Sequence, residues 1–191
     1  MFQLIHGIPW SHTVPAFVAL LFALLYLKSK NVYFRVLFGV LWLLFFPNTI
    51  YIFTDLSRVA LHWNTTGSLA HLSLVIQYFI LEVIGILTFI FGFLPFESII
   101  HTKHFSFKKQ IYSVILFNFI IGFGMVLGRV EHINSYFIFT QPIRVLSAVL
   151  HIIASVDLWK LTILYGIIAN LIYFLFRKYL LCFSKSLLIP A

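Results

Sequence analysis

The chain has 191 residues, of which 62% are apolar and 9% charged, and its formal net charge is +8. A soluble domain carries roughly 45–50% apolar and about 25% charged residues. A soluble enzyme, a disordered segment and a disulfide-framed secreted module are therefore excluded, and one integral membrane domain over residues 1–191 remains.

A membrane helix needs about 20 mostly apolar residues. Five stretches meet this, at residues 10–27, 36–53, 69–94, 111–127 and 158–181. The third is long enough to tilt or protrude. Residues 142–155 are apolar but short, which predicts an interfacial or re-entrant helix. The expected fold is all-α: a polytopic membrane helix bundle with five transmembrane helices and one short interfacial or re-entrant helix. The runs are continuous rather than alternating, so a β-barrel is excluded.

Cations set the orientation. Lys28, Lys30, Arg35, Lys103, Lys108, Lys109, Arg177, Lys178 and Lys185 share one side if there are five spans. Arg58, Arg129, Arg144 and Lys160 share the other. The positive-inside rule then places the N-terminus outside and the C-terminus in the cytoplasm. The basic excess reads as an orientation signal and an attraction to anionic lipid, not as a nucleic-acid surface. Six of the eight histidines, His6, His12, His62, His71, His132 and His151, fall near the outer side, as do Trp10, Trp63 and Trp159.

Polar residues within the apolar stretches carry the functional content. Pro47 has no N–H and leaves the Leu43 carbonyl without its helical donor, with Asn48 a candidate substitute. Past Pro47, Asn48, Tyr51, Asp55, Arg58 and His62 fall within about 80° of arc at 100° per residue. This stripe is either an amphipathic end on the membrane surface or one wall of a polar pocket. In the third stretch His71, Tyr78 and Glu82 share a face, with Glu82 near the centre. A central ionised acid costs about 2.5–3.5 kcal/mol to insert. Asn118 and Asn170 are expected to hydrogen-bond between helices, and Gly124 with Gly128 to allow close helix packing. The fourth stretch ends in Gly128-Arg129-Val130-Glu131-His132-Ile133-Asn134-Ser135-Tyr136, on the same side as Asp55 and Arg58. Arg129 is a natural partner for Asp55 or for an anionic lipid phosphate. The candidate polar site thus comprises Asn48, Tyr51, Asp55, Arg58, His62, His71, Glu82, Arg129, Glu131 and Asn134.

The pattern Pro47-Asn48-x-x-Tyr51-x-x-Thr54-Asp55, with Gly128-Arg129 and Asn134-Ser135, resembles a family of small bacterial integral membrane proteins catalogued as domain of unknown function 1361. The resemblance covers roughly residues 35 to 181. His132, Tyr136 and Phe137 stand where the family has Arg, Trp and Asp, and the loss of that last acid weakens the case for a catalytic carboxylate from the second motif. The resemblance implies a bacterial cell membrane location and no particular activity.

Three functions stay open. The first is a non-enzymatic binding or accessory protein whose outer polar site takes a lipid headgroup, a small solute or a membrane protein partner. The second is a membrane-embedded enzyme or metal/haem protein using His62, His71, His132 and His151 with Asp55 and Glu131. No His-Glu-x-x-His spacing and no serine-nucleophile elbow supports it, so no metal and no cofactor is expected. Cys182 is the single cysteine, which excludes an internal disulfide. The third is a small proton-coupled transporter using Glu82. It has no inverted repeat.

Overall fold

The computed structural model describes residues 10–50, 68–102 and 106–188. Tyr51, Asp55, Arg58 and His62 lie outside these described residues, as do His6, Trp63 and the lysine at position 103. Eight helices are described: α1 (Trp10–Lys28), α2 (Val32–Phe45), α3 (Ser68–Gly92), α4 (Leu94–Thr102), α5 (Phe107–Arg129), α6 (Phe137–Thr140), α7 (Pro142–Ala154) and α8 (Val156–Leu188). No strand occurs among the described residues.

Among the described residues, four helical stretches are long and apolar enough to cross a membrane: Val32–Ile50, Val75–Ile100, Phe107–Arg129 and Val156–Tyr179. This is one fewer than expected. The described apolar part of α1, Thr13–Lys28, falls short of that length. The boundaries also move. Asn31 caps α2 by accepting from Tyr33 N at 2.9 Å, so the second stretch starts at Val32 and takes in Arg35. Arg35 lies over the Tyr26 ring, 4.9 Å from its centroid, so this cation belongs to the α1–α2 contact rather than to the loop. The third stretch continues to Ile100 because α3 and α4 are separated only by a one-residue turn at Phe93. Pro95 lies in the first turn of α4, where a missing N–H is tolerated.

α5 with α8, and α1 with α2, make the most extensive helix pairs. The first depends on glycine. A Cβ at Gly122 would lie 2.6 Å from Thr162 O and 2.7 Å from Gly166 N. The two backbones touch there. Glycine at both positions is what permits it. Gly124, by contrast, faces Pro47: its Cβ would lie 2.6 Å from Pro47 Cγ. Of the expected Gly124–Gly128 pair, Gly124 thus meets the α2 break, whereas Gly122 with Gly166 forms the α5–α8 contact.

One turn from the glycine contact, Asn118 Nδ2 donates to Asn170 Oδ1 at 3.0 Å, and Asn170 Nδ2 donates to Gly166 O at 2.8 Å. The two mid-stretch amides do bond between helices, as their position predicts. Around them lies an aromatic core. Phe46 stacks on Phe89 at 5.5 Å and on Phe117 at 5.9 Å, and Phe96 stacks on Phe117 at 4.1 Å. Such offset and edge contacts add about 0.5–1.5 kcal/mol each beyond area burial. Trp42 Nε1 donates to Gly92 O at 2.8 Å, joining α2 to the α3–α4 junction.

α7 has Pro142 at its start and extends 13 residues, about 20 Å at 1.5 Å per residue. That is short of a bilayer core of about 30 Å. Ala148 and Ile152 face the bundle, whereas Ile143, Leu146, Leu150 and Ile153 form an exposed apolar stripe. This is the short apolar helix expected over 142–155.

Candidate functional site

The site begins with a broken helix. Phe46 N still bonds Trp42 O at 2.8 Å. Pro47 then has no donor, and the next bonds are three-residue ones, Thr49 N to Phe46 O at 3.1 Å and Ile50 N to Pro47 O at 3.3 Å. The carbonyls of Leu43, Leu44 and Phe45 are left out of the regular ladder. Two polar side chains take two of them. Asn48 Nδ2 donates to Phe45 O at 2.9 Å, and Ser135 Oγ donates to Leu44 O at 2.9 Å. Asn48 therefore repairs the break, but at Phe45 rather than at the expected Leu43. Ser135 arrives from 91 positions further along the chain. It ties the first polar motif to the second.

The second motif is shaped by the end of α5. Glu131 N bonds Val126 O at 3.3 Å and Ile133 N bonds Leu127 O at 3.1 Å. The bond back to Leu127 spans six positions, one more than in a Schellman closure, and the chain makes this turn through a left-handed residue just before Ile133. His132 supplies it, with φ of 53°. Ile133 is buried, and the chain then turns toward the α2 break with Asn134, Ser135 and Tyr136.

Between the two motifs is a cavity of about 490 Å³. Its apolar wall comes from Leu43, Phe45 and Phe46 on one side and Phe117, Ile120, Phe123 and Leu127 on the other. Pro47, Gly124 and Gly128 also line it. Its polar groups are Asn48, Asn134, Ser135 and Tyr136. A mostly apolar pocket of roughly 300–1,000 Å³ with a few placed polar groups is the usual form of a small-molecule site.

The described candidate residues divide around this cavity. Asn48 and Asn134 line it. Arg129 and Glu131 flank it in sequence but are not among its lining residues. Glu131 instead meets α7: its Oε1 lies 2.8 Å from His151 Nδ1. His71 and Glu82 are half-buried on α3, on the same face as the buried Tyr78, and neither lines the cavity. No group of three or more His, Cys, Asp or Glu side chains suited to a metal occurs among the described residues.

One acid was missed from the sequence. Glu97 is 1% exposed and accepts a hydrogen bond from the Tyr173 hydroxyl on α8. With the third stretch ended at position 94, Glu97 reads as a loop residue. The available signal was the apolar run that resumes after it at Ile99 and Ile100.

The fold and cavity define a class: an all-helical bundle with membrane-length apolar helices and a small-molecule-sized cavity at a helix break. Comparison then places it more closely. The family model described as "Protein of unknown function (DUF1361)" matches residues 12–172, most of the chain, and the protein belongs to that family. No curated protein and no solved structure matches it.

Proposed function

We propose that this chain is a non-enzymatic, multi-pass membrane binding protein of the bacterial cell membrane, with the Pro47 cavity as its binding site. In this reading α1 crosses the membrane together with the four longer stretches. The N-terminus is outside, the C-terminus is cytoplasmic, and the cavity lies toward the outer side. The cavity of about 490 Å³ between Asn48 and the Asn134–Tyr136 turn is the observation that carries the proposal. The ordering of that turn supports it. Ser135 and His132 hold a polar loop over an otherwise apolar hollow, and such an arrangement gives a ligand both burial and orientation.

The test is native mass spectrometry of the detergent-purified chain, with Ile120→Trp as the cavity-filling comparison. A bound small molecule in the wild type, absent from a folded Ile120→Trp, is the expected result. A wild-type chain with no ligand after gentle extraction, and no thermal stabilisation by membrane extract, refutes the reading.

A further inference from the structure

The cavity also indicates how a ligand reaches it. Leu43 and Ile120 line it, yet they are 47% and 57% exposed, and Ile138 lines it at 37%. These three belong at once to the cavity wall and to the apolar outer surface. They are continuous with exposed neighbours such as Val40 on α2 and Leu116 on α5. The mouth is therefore framed by side chains that, in a membrane, face hydrocarbon. A water-soluble ion or sugar would have to lose its hydration before meeting any polar group there, at a cost of several kcal/mol per group. A molecule already dissolved in the bilayer meets no such barrier.

The polar end narrows the chemistry further. Asn48, Asn134, Ser135 and Tyr136 are neutral, and no charged side chain is among the described lining residues. Asn48 Nδ2 and Ser135 Oγ are already engaged with Phe45 O and Leu44 O. What the described residues of this end offer is neutral hydrogen bonding without a counter-charge. Among these described residues a buried phosphate or carboxylate would find no counter-charge.

We infer that the cavity admits its ligand sideways from the bilayer, and that the ligand is an uncharged amphiphile: a long hydrocarbon chain bearing a neutral hydrogen-bonding head. The chain lies among Leu43, Phe45, Ile120 and Phe123, and the head lies at Asn48 and the Asn134–Tyr136 turn. This rests on the binding reading above and specifies its substrate class.

Photolabelling of the full chain in phosphatidylcholine proteoliposomes tests it. Three diazirine probes are compared: a long-chain fatty alcohol, the matching fatty carboxylate at a pH where it is ionised, and a short water-soluble diol. The expected result is alcohol labelling concentrated in the segments 117–128 and 133–138. Ile120→Trp, which fills the mouth from an exposed position, should reduce that labelling about tenfold, equivalent to about 1.4 kcal/mol of binding. Leu43→Trp fills the mouth from α2 and should do the same if Ile120→Trp does not fold. Alcohol labelling spread evenly over the exposed faces, or unchanged by both variants, overturns the inference. So does stronger labelling of these segments by the carboxylate or the diol. In that last case a ligand still occupies the cavity, so the binding reading survives while the ligand class fails. An empty cavity in native mass spectrometry removes both.

Discussion

Gly122→Ala is the sharpest test of how the bundle is assembled. The added Cβ would lie 2.6 Å from Thr162 O, 2.7 Å from Gly166 N and 3.1 Å from Gly166 Cα. All three are backbone atoms, so no side-chain rotation relieves the contact. Ordinary Cβ contacts begin near 3.4 Å, so α5 and α8 must separate by about 3.4 − 2.6 = 0.8 Å. Asn118 lies one turn before Gly122, and Asn170 one turn after Gly166. The same separation would stretch their 3.0 Å bond to about 3.0 + 0.8 = 3.8 Å, beyond hydrogen-bond range. Overpacking costs about 1–3 kcal/mol. An interhelical bond in a membrane averages about 0.6 kcal/mol and reaches about 1.7. Together these give a loss of about 2–5 kcal/mol. Gly39→Ala is the control, because its Cβ meets only the Tyr26 side chain, at 3.3 Å. Reversible denaturation in mixed micelles, followed by circular dichroism, measures both. In an Asn118→Ala background the cost of Gly122→Ala should shrink, because the bond it breaks is already absent. If Gly122→Ala matches Gly39→Ala within about 0.5 kcal/mol, the helix contact inferred here is wrong.

Three further outcomes follow from particular bonds. Ser135→Ala removes the donor to Leu44 O at the helix break and should cost about 1–3 kcal/mol in the same denaturation assay, whereas Ser135→Thr, which keeps the hydroxyl, should avoid most of that loss. His132→Gly relieves a left-handed non-glycine residue at an exposed turn. It should leave the fold intact and raise stability by about 0.5–1 kcal/mol, and a destabilised variant would contradict the left-handed backbone at His132 as a source of strain. Tyr173→Phe leaves the buried Glu97 carboxyl without the hydroxyl that donates to it, for a loss of about 1–3 kcal/mol; Glu97→Gln in that background should recover part of it, measured by the same unfolding transition.

The helical class was legible from residues alone because the bilayer constraint is severe. With no water to satisfy backbone groups, a long apolar run has essentially one spanning conformation, the helix. Pro47 announced a break for a similar reason: it has no N–H in any context. The amides of Asn118 and Asn170 also announced themselves, because a polar group in a mid-membrane stretch needs a partner. Helix ends were less legible. Hydropathy does not see a cap such as Asn31, nor the one-residue turn at Phe93 that carries the third stretch on to Ile100. Ending that stretch at position 94 concealed Glu97.

Residue chemistry by itself therefore determined that this is an apolar helix bundle, where one helix must break, and which groups near the break need partners. Partner choice required the tertiary structure, because each decisive contact joins residues far apart in the chain. Ser135 reaches Leu44 across 91 positions, and Tyr173 reaches Glu97 across 76. Gly122 meets Gly166 only because α5 and α8 lie side by side. A one-dimensional pattern records periodicity along one helix, whereas these contacts depend on how two helices are rotated against each other. The same rotation sets the cavity beside Pro47, and it leaves Asn48 and Asn134 on its wall while His71 and Glu82 remain on α3, outside its lining.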